Sequence, residues 1–211
     1  MADKEILIFV EGPSDKVFLE AYLYFLEDIP IKNFKVKDVT GKDNLSKRLL
    51  EIEKYDKTLI IFDADKDYES NKKEILSKTQ QKITEEQIFL FPNNQDDGDL
   101  ETLLLEIAKH DEFLKCFEGY LECIKSKEHY KPIKNISKSK WYAYLEVFEL
   151  QNFFKDKRNK NDKKNEEKII IDDKGKIRKE YKEEYEKLKE AIDFNSNSLI
   201  LLKDFLGQFA K

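Results

Sequence analysis

The amino-acid sequence predicts an α/β protein in which helices cover a parallel sheet. Two short apolar runs, 6–10 and 58–62, are bounded by charged residues and suit strands that are buried on both faces. Segments with helical spacing of apolar residues alternate with such runs, and this alternation is typical of parallel strands joined by right-handed helical crossovers. In folds of this kind, ligands bind at the carboxyl ends of the strands.

The remaining elements follow in order along the chain. After Glu11-Gly12-Pro13 we expect a helix with Ser14 as its N-cap, because apolar residues recur there at helical spacing. Further expected elements are a strand at 34–39, helix 44–55, strand 58–62, helix 72–82, strand 87–91 and helix 100–109, with Asp97 and Asp99 as helix caps. Beyond these we expect helices at 113–124, 141–154, 180–192 and 199–209, the last capped by Ser198, and a short hairpin at 168–177.

The alternation of strands and helices ends near residue 109. We therefore expect a main domain at 1–109 and a mainly helical extension at 110–211, whose final helix packs back on the core. The net charge of -5 is unevenly distributed, because residues 125–164 hold twelve Lys or Arg against five Asp or Glu. An acidic domain with a basic extension suits a metal site beside a polyanion-binding surface, although a merely solvated lysine-rich face explains the same charges. The candidate nucleic-acid-binding residues in this segment are Lys138, Lys140, Lys157 and Arg158.

Several classes of protein are disfavoured by composition. No apolar run approaches the roughly 20 residues needed to span a bilayer, and the first residues lack the pattern of a secretory signal. A cytoplasmic protein without membrane contact is therefore expected. Cys116 and Cys123 are seven residues apart and have no neighbouring Cys or His, so neither a zinc site nor a disulfide is expected.

Acidic residues follow the two most apolar strands. Glu11 comes directly after the first strand, and Asp63, Asp65 and Asp67 follow the other. Because the carboxyl ends of parallel strands meet at one edge of the sheet, these side chains can converge. Grouped carboxylates repel one another and raise one another's pKa unless a cation compensates them. Oxygen ligands favour Mg2+ or Mn2+ over zinc, so the sequence predicts such a metal site at this edge.

A calcium-binding loop is a weaker interpretation of the same residues. Asp63, Asp65, Asp67 and Glu74 fall at positions 1, 3, 5 and 12 of an EF-hand loop. Position 6, however, holds Tyr68 instead of glycine, and a predicted strand instead of a helix precedes the loop. An EF-hand is therefore disfavoured.

The residues around the acidic site resemble the Toprim domain, which is shared by topoisomerases, primases, small RNA-maturation nucleases and the overcoming-lysogenization-defect nucleases. ILIFVEGPSDK at 6–16 and LIIFDADKD at 59–67 are similar to the family's glutamate-glycine turn and its Asp-x-Asp motif. The resemblance is strongest to the overcoming-lysogenization-defect group and to small uncharacterised Toprim relatives, in which an acidic residue follows the glutamate by four, as Asp15 does. FLFP at 89–92 and GDLETLLL at 98–105 resemble the later strand and acidic helix of those small relatives, which offers Glu101 as a further ligand. The resemblance covers residues 5–108.

This resemblance implies a Toprim-like fold and a metal-dependent phosphodiester hydrolase, a nuclease that acts on DNA or RNA. Glu11 is implied as a general acid or base that also binds Mg2+ or Mn2+. The other implied metal ligands are Asp15, Asp63 and Asp65, with Asp67 and Glu101 as weaker candidates. Gly12 would allow close approach of the backbone to a phosphate.

The sequence departs from the larger members of that family in ways that leave a second function open. It lacks the cysteine pattern of a primase zinc module, the scaffold for a topoisomerase tyrosine, and the GxxxxGK[ST] loop of the ATPase that accompanies the overcoming-lysogenization-defect nucleases. The alternative is a non-catalytic Toprim-derived module that binds nucleic acid or a nucleotide, with a separate protein partner in a larger defence or repair assembly. Fold membership alone does not decide between these functions.

Overall fold

Over the described residues, the sheet contains four parallel strands, which are β1 (Ile6–Val10), β2 (Phe34–Asp38), β3 (Lys57–Asp63) and β4 (Ile88–Phe91). Their order is β2-β1-β3-β4, so β1 and β3 are the central strands. Because all of these pairings are parallel, the four strands end at the same edge of the sheet, here called the carboxyl edge. The structure is a computed structural model, which describes residues 6–26, 31, 34–154 and 179–209.

Nine α-helices lie in the described part of the chain. They are α1 (Pro13–Phe25), α2 (Leu49–Ile52), α3 (Tyr68–Lys78), α4 (Leu100–Glu106), α5 (Asp111–Lys125), α6 (Ile136–Val147), α7 (Gln151–Phe154), α8 (Lys182–Ala191) and α9 (Ile200–Gly207). Short 3-10 helices are formed by Lys42–Arg48, Glu85–Gln87, Lys179–Tyr181 and Asn197–Leu199. The predicted architecture, a helix-covered parallel sheet with a mainly helical C-terminal region, is confirmed.

Each face of the sheet carries its own apolar core. Successive side chains of a strand point to opposite faces, so Ile8 and Val10 of β1 lie in one core while Leu7 and Phe9 lie in the other. Every residue of β1 is buried, which explains why its sequence is an unbroken apolar run instead of an alternating one.

The C-terminal region completes the larger of these two cores. Trp141 of α6, Leu188 of α8 and Leu206 of α9 are buried together with Phe18 of α1 and with residues of the central strands. The two parts of the chain thus share one core, while the proposed boundary at residue 109 stays a prediction.

Hydrogen bonds fix the end of α8 against the segment that links α4 to α5. The amide of Asp193 donates to the carbonyl oxygen of Ile107 at 2.8 Å, and the amide of Lys109 donates to that of Ala191 at 3.0 Å. The buried Tyr144 hydroxyl also donates to the Ala191 carbonyl, at 2.6 Å. These bonds hold the extension in a defined position relative to α4.

Two helix starts differ from the sequence prediction. Gly12, not Ser14, is the N-cap of α1, because Pro13 occupies the first helical position. The Asp15 carboxylate stabilises this start by accepting a hydrogen bond from the Gly12 amide. At the C-terminal end Ser196 caps the 3-10 helix, and Ser198 is its second residue.

The predicted helix 44–55 is also different, since it consists of a 3-10 helix followed by the single turn of α2. Only Leu45 and Ile52 are buried in this segment, so little tertiary packing is available to stabilise a longer regular helix.

The other predicted helices are present with shifted ends. The helix expected at 72–82 is α3, which begins earlier because Asp67 caps it. The region 141–154 is divided between α6 and α7, with Glu149 in a left-handed conformation between them. The hairpin expected at 168–177 lies outside the described residues. Over the described residues, no helix is both long enough and apolar enough to span a membrane.

Candidate functional site

The turn from β1 into α1 brings two acidic residues to the carboxyl edge. Glu11 is the first residue after β1, and Asp15 lies in the first turn of α1. The Asp15 carboxylate accepts a hydrogen bond from the Gly12 amide at 2.6 Å, which directs it back toward the strand end. A Cβ atom at position 12 would lie 3.2 Å from the Asp15 carboxylate. Glycine at this position therefore also leaves room for the acidic side chain.

The end of β3 and the start of α4 supply two more carboxylates. Asp63 is the last residue of β3, and its Oδ1 accepts the amide of Leu100 at 2.9 Å. Asp99 is the N-cap of α4, as predicted, and accepts the Thr102 amide at 2.8 Å. Glu101 therefore lies in the first turn of a helix that is tied directly to β3, and its side chain is buried.

Electrostatic interactions show that these four residues form one group, here called the acidic cluster: Glu11, Asp15, Asp63 and Glu101. Burial, together with the negative charges of Asp15 and Glu11, raises the pKa of Asp63 to about 9. Burial also raises the pKa of Asp15 to about 7, with contributions from Glu101 and Glu11. The pKa values of Glu11 and Glu101 are raised chiefly by burial. The cluster is therefore an electrostatically unfavourable arrangement that a cation would relieve.

Asp65 lies at the rim of this cluster, in a left-handed backbone conformation with φ of 55°. Its backbone is held by two hydrogen bonds to Gly98, of 2.7 and 2.8 Å. Gly98 itself has φ of +148°, and a Cβ there would come within 2.9 Å of the Pro92 ring. The Asp65 side chain is 55% exposed and forms an ion pair with Lys42. Asp67 is engaged differently, since it caps α3 by accepting the Ser70 amide at 2.9 Å.

A cleft separates the carboxyl edge from the N-terminal end of α6. Asp63 and Glu101 of the acidic cluster line it, together with Lys66, Lys134 and Lys138. The residues that line it are Asp63, Asp65, Lys66, Asp67, Ser70, Asn71, Gly98, Asp99, Glu101, Lys134, Asn135, Ile136, Ser137 and Lys138. Lys138 Nζ lies 3.6 Å from Glu101 Oε1, so a lysine of the cleft contacts the acidic cluster directly.

Of the other basic residues predicted to bind nucleic acid, Lys140 is described and does not line this cleft. Lys140 points toward α5, where its ammonium group lies 2.8 Å from the Glu118 carboxylate, and its side chain is only 13% exposed. Lys157 and Arg158 lie outside the described residues.

Asp97 has a role that the sequence predicted only in part. Its carboxylate accepts the amide of Tyr68 at 2.8 Å, so it satisfies a donor in the first turn of α3 and not in α4, the helix that follows it in the chain. Together with Asp67, which caps α3 and lines the cleft, it fixes the start of α3.

The donor atoms of the site suit a hard divalent cation. They are carboxylate oxygens, and Glu11 Oε2 is buried without a hydrogen-bond partner among the described residues. In their present positions, however, no group of three described His, Cys, Asp or Glu residues is arranged to hold a metal ion. Several carboxylates instead accept hydrogen bonds from backbone amides or form ion pairs with lysine ammonium groups. The chemistry of the site fits Mg2+ or Mn2+, while its coordination geometry would require these side chains to turn.

Three cations of the site were missed by the sequence analysis, namely Lys42, Lys66 and Lys134. Lys42 follows β2 and reaches the carboxyl edge, and Lys134 precedes α6 and lines the cleft. A signal for Lys42 was available, because it stands four residues after the end of a strand that shares this edge. Lys134 had no such signal, because its position depends on how α6 packs against α4.

The fold and the site define an α/β protein with an acidic site at the carboxyl edge of a parallel sheet. The chain belongs to the family described as Protein of unknown function (DUF3226), whose pattern matches residues 5–206. The match includes both the sheet and the helical C-terminal region. No curated protein and no solved structure was found to match the chain.

Proposed function

We propose that this protein is a Mg2+- or Mn2+-dependent phosphodiester hydrolase of the Toprim type that cleaves DNA or RNA. The observation that carries the proposal is the cleft, which is lined both by Asp63 and Glu101 of the acidic cluster and by lysines. Acidic residues suit a metal ion and lysines suit phosphate, and a phosphodiester bound between them would contact both.

Within this proposal, Asp15, Asp63, Asp65 and Glu101 would hold the ion. When bound, Mg2+ or Mn2+ would polarise the phosphodiester and offset the negative charge that develops on phosphate. Asp65 and Glu101 would exchange a lysine for the ion, whereas Asp15 and Asp63 would keep a backbone amide on one carboxylate oxygen.

Glu11 is the residue that we assign to proton transfer. Its pKa is raised by burial, which brings a carboxyl group closer to the pH at which it can both accept and donate a proton. Its Oε2 is buried and makes no hydrogen bond to any described residue. Glu11 does not line the cleft, so its side chain would have to turn toward the cleft to exchange a proton with an attacking water or a leaving oxygen. Lys138 and Lys134 would bind the phosphates on either side of the scissile bond.

The experiment is cleavage of labelled single- and double-stranded DNA and RNA in Mg2+, Mn2+ or EDTA. We expect products only with metal, and none from Glu11→Gln or Asp63→Asn. Asp56→Asn is the matched control, because Asp56 is exposed at the opposite, amino end of the same strand. Cleavage that survives both site substitutions would place the active site elsewhere, and absence of cleavage with every substrate would count against hydrolysis.

A binding module that does not cleave is the second candidate. It is favoured by the two lysines that already neutralise acidic side chains, since Lys42 pairs with Asp65 and Lys138 approaches Glu101. Such a module would bind nucleic acid or a nucleotide, with a protein partner supplying any catalytic step. Salt-sensitive binding that persists in EDTA and in Asp63→Ala would favour this function over the nuclease.

A further inference from the structure

Lys42 is placed at the acidic site by the loop that follows β2. The amide of Val39 donates to the carbonyl of Val10 at 3.0 Å, and the amide of Gly41 donates to the carbonyl of Glu11 at 2.9 Å. Gly41 has φ of +98°, a conformation that glycine adopts without strain. The loop is thus fastened to the end of β1, and the next residue, Lys42, projects along the carboxyl edge.

The ammonium group of Lys42 is held at its tip by two oxygen atoms. It donates to Asp65 Oδ2 and to Asn71 Oδ1. Asn71 is itself fixed, because its side-chain amide donates to the carbonyl of Ala64 at 2.6 Å and to that of Asp67 at 3.0 Å. The Lys42 side chain is only 13% exposed, which is unusual for lysine and leaves it little rotational freedom.

Lys42 also acts on the centre of the acidic cluster. Burial raises the pKa of Glu11, and the positive charge of Lys42 is the largest influence that lowers this pKa. Lys42 therefore interacts with two residues of the proposed active site, which are Asp65, assigned to the metal ion, and Glu11, assigned to proton transfer. A divalent cation that used Asp65 would meet a positive charge already in that position, and two cations sharing one carboxylate repel each other.

We infer that Lys42 is a built-in counterion of the acidic site, which a divalent cation must displace from Asp65 in order to bind. This inference rests on the proposed function and adds a mode of regulation to it. Lys42 stabilises the site when no metal is bound, and the same contact lowers the affinity for metal. Because Asn71 is fixed, the ammonium group of Lys42 has one defined place to occupy, between Asn71 Oδ1 and Asp65 Oδ2. A metal ion would compete with Lys42 at this pair of oxygen atoms.

The test is calorimetric titration of Mn2+ and Mg2+ into the 211-residue chain at constant ionic strength. Lys42→Met removes the charge, and Lys42→Gln removes it while keeping a hydrogen-bond donor. We expect both variants to bind Mn2+ about tenfold more tightly, which corresponds to about 1.4 kcal/mol. Lys47→Met is the matched control, because Lys47 is exposed on the same 3-10 helix and donates to Asn44 instead of to the site.

Thermal unfolding supplies a second readout that does not depend on catalysis. Without metal, Lys42→Met should melt below the wild type, because the acidic site has lost its counterion. Saturating Mn2+ should reduce or reverse that difference, since the ion replaces the lost charge and binding to the folded state raises the melting temperature. Lys47→Met should show no change in the difference between the two conditions.

The outcomes separate this inference from the function on which it rests. Tighter Mn2+ binding by both Lys42 variants, but not by Lys47→Met, supports the displacement of Lys42. Equal or weaker binding by the Lys42 variants, with wild-type binding that Asp63→Asn abolishes, overturns the inference and leaves the metal site in place. Absence of Mn2+ binding by the wild type overturns the metal-dependent function and this inference with it.

Discussion

Replacement of Asp63 by asparagine should stabilise the metal-free protein at neutral and alkaline pH. Asparagine keeps the oxygen that accepts the Leu100 amide, at 2.9 Å in the wild type, but carries no charge. Burial raises the pKa of Asp63 to about 9 from an ordinary value of 3.8. Between these values the folded protein keeps a proton that the unfolded chain has released. Wild-type stability should therefore fall as pH rises through this interval, by up to about 1.4 kcal/mol per pH unit.

The stabilisation expected for Asp63→Asn follows from this dependence of wild-type stability on pH. Below pH 3.8 both states are protonated, so Asp63→Asn should have little effect, and the difference should grow as the pH rises toward 9. Asp15, whose own pKa is raised to about 7, titrates together with Asp63, so removal of one acid lets the other ionise more readily. Because that ionisation offsets part of the effect, we expect a stabilisation on the order of 2 kcal/mol at pH 7.

The assay is urea unfolding in EDTA at pH 5, 7 and 8.5, followed by the fluorescence of Trp141, which is the only tryptophan and is buried. Asp56→Asn serves as the control from the exposed end of the same strand. Added Mn2+ should stabilise the wild type and should not stabilise Asp63→Asn. A variant that is less stable than the wild type at pH 8.5, or a difference that does not grow with pH, would refute the assignment of Asp63 to a strained acidic cluster.

Three other changes test the architecture around the site. Gly98→Ala should lower the free energy of unfolding by about 2 kcal/mol or more, since the residue has positive φ and a Cβ would overlap a proline ring; denaturant midpoints measure this. Lys138→Ala should weaken nucleic-acid binding and reduce the slope of its affinity against salt concentration, on logarithmic scales, by about one, the effect of losing one phosphate contact. Lys140→Ala should leave both the affinity and the slope nearly unchanged. Tyr144→Phe should cost about 1 kcal/mol of stability by removing the bond to the Ala191 carbonyl, and unchanged hydrogen exchange at the end of α8 would contradict this.

The strands were the most predictable part of the fold. β1 and β3 are buried on both faces, so their sequences are unbroken apolar runs. A run of this kind and length indicates either a short buried strand or a segment of a buried helix. The region 44–55 was harder, because only two of its side chains are buried and its helical spacing is not supported by packing. The start of α1 was misplaced by two residues, since Pro13 and the Asp15 carboxylate together outweigh the preference of Ser14 for capping.

The candidate site was predictable where it depends on strand ends alone. Glu11 and Asp63 end neighbouring parallel strands, and the register of those strands brings them to one edge whatever the rest of the chain does. Glu101 was suggested by the resemblance, and it reaches the edge because α4 is tied to β3 through the Leu100 amide. The Asp65 backbone is held by Gly98, which is far from it in sequence.

The class of fold and the acidic character of the carboxyl edge could be predicted from local sequence, because apolar periodicity and strand ends are local properties. Tertiary structure alone decided which cations face those acids. Lys138 reaches the cleft while Lys140, two residues away on the same helix, pairs with α5, and residue spacing cannot show which side of α6 faces the sheet. Lys42 is brought in by a loop that is fastened to β1 through backbone hydrogen bonds. Such contacts between distant segments depend on how whole elements pack, which a local pattern does not encode.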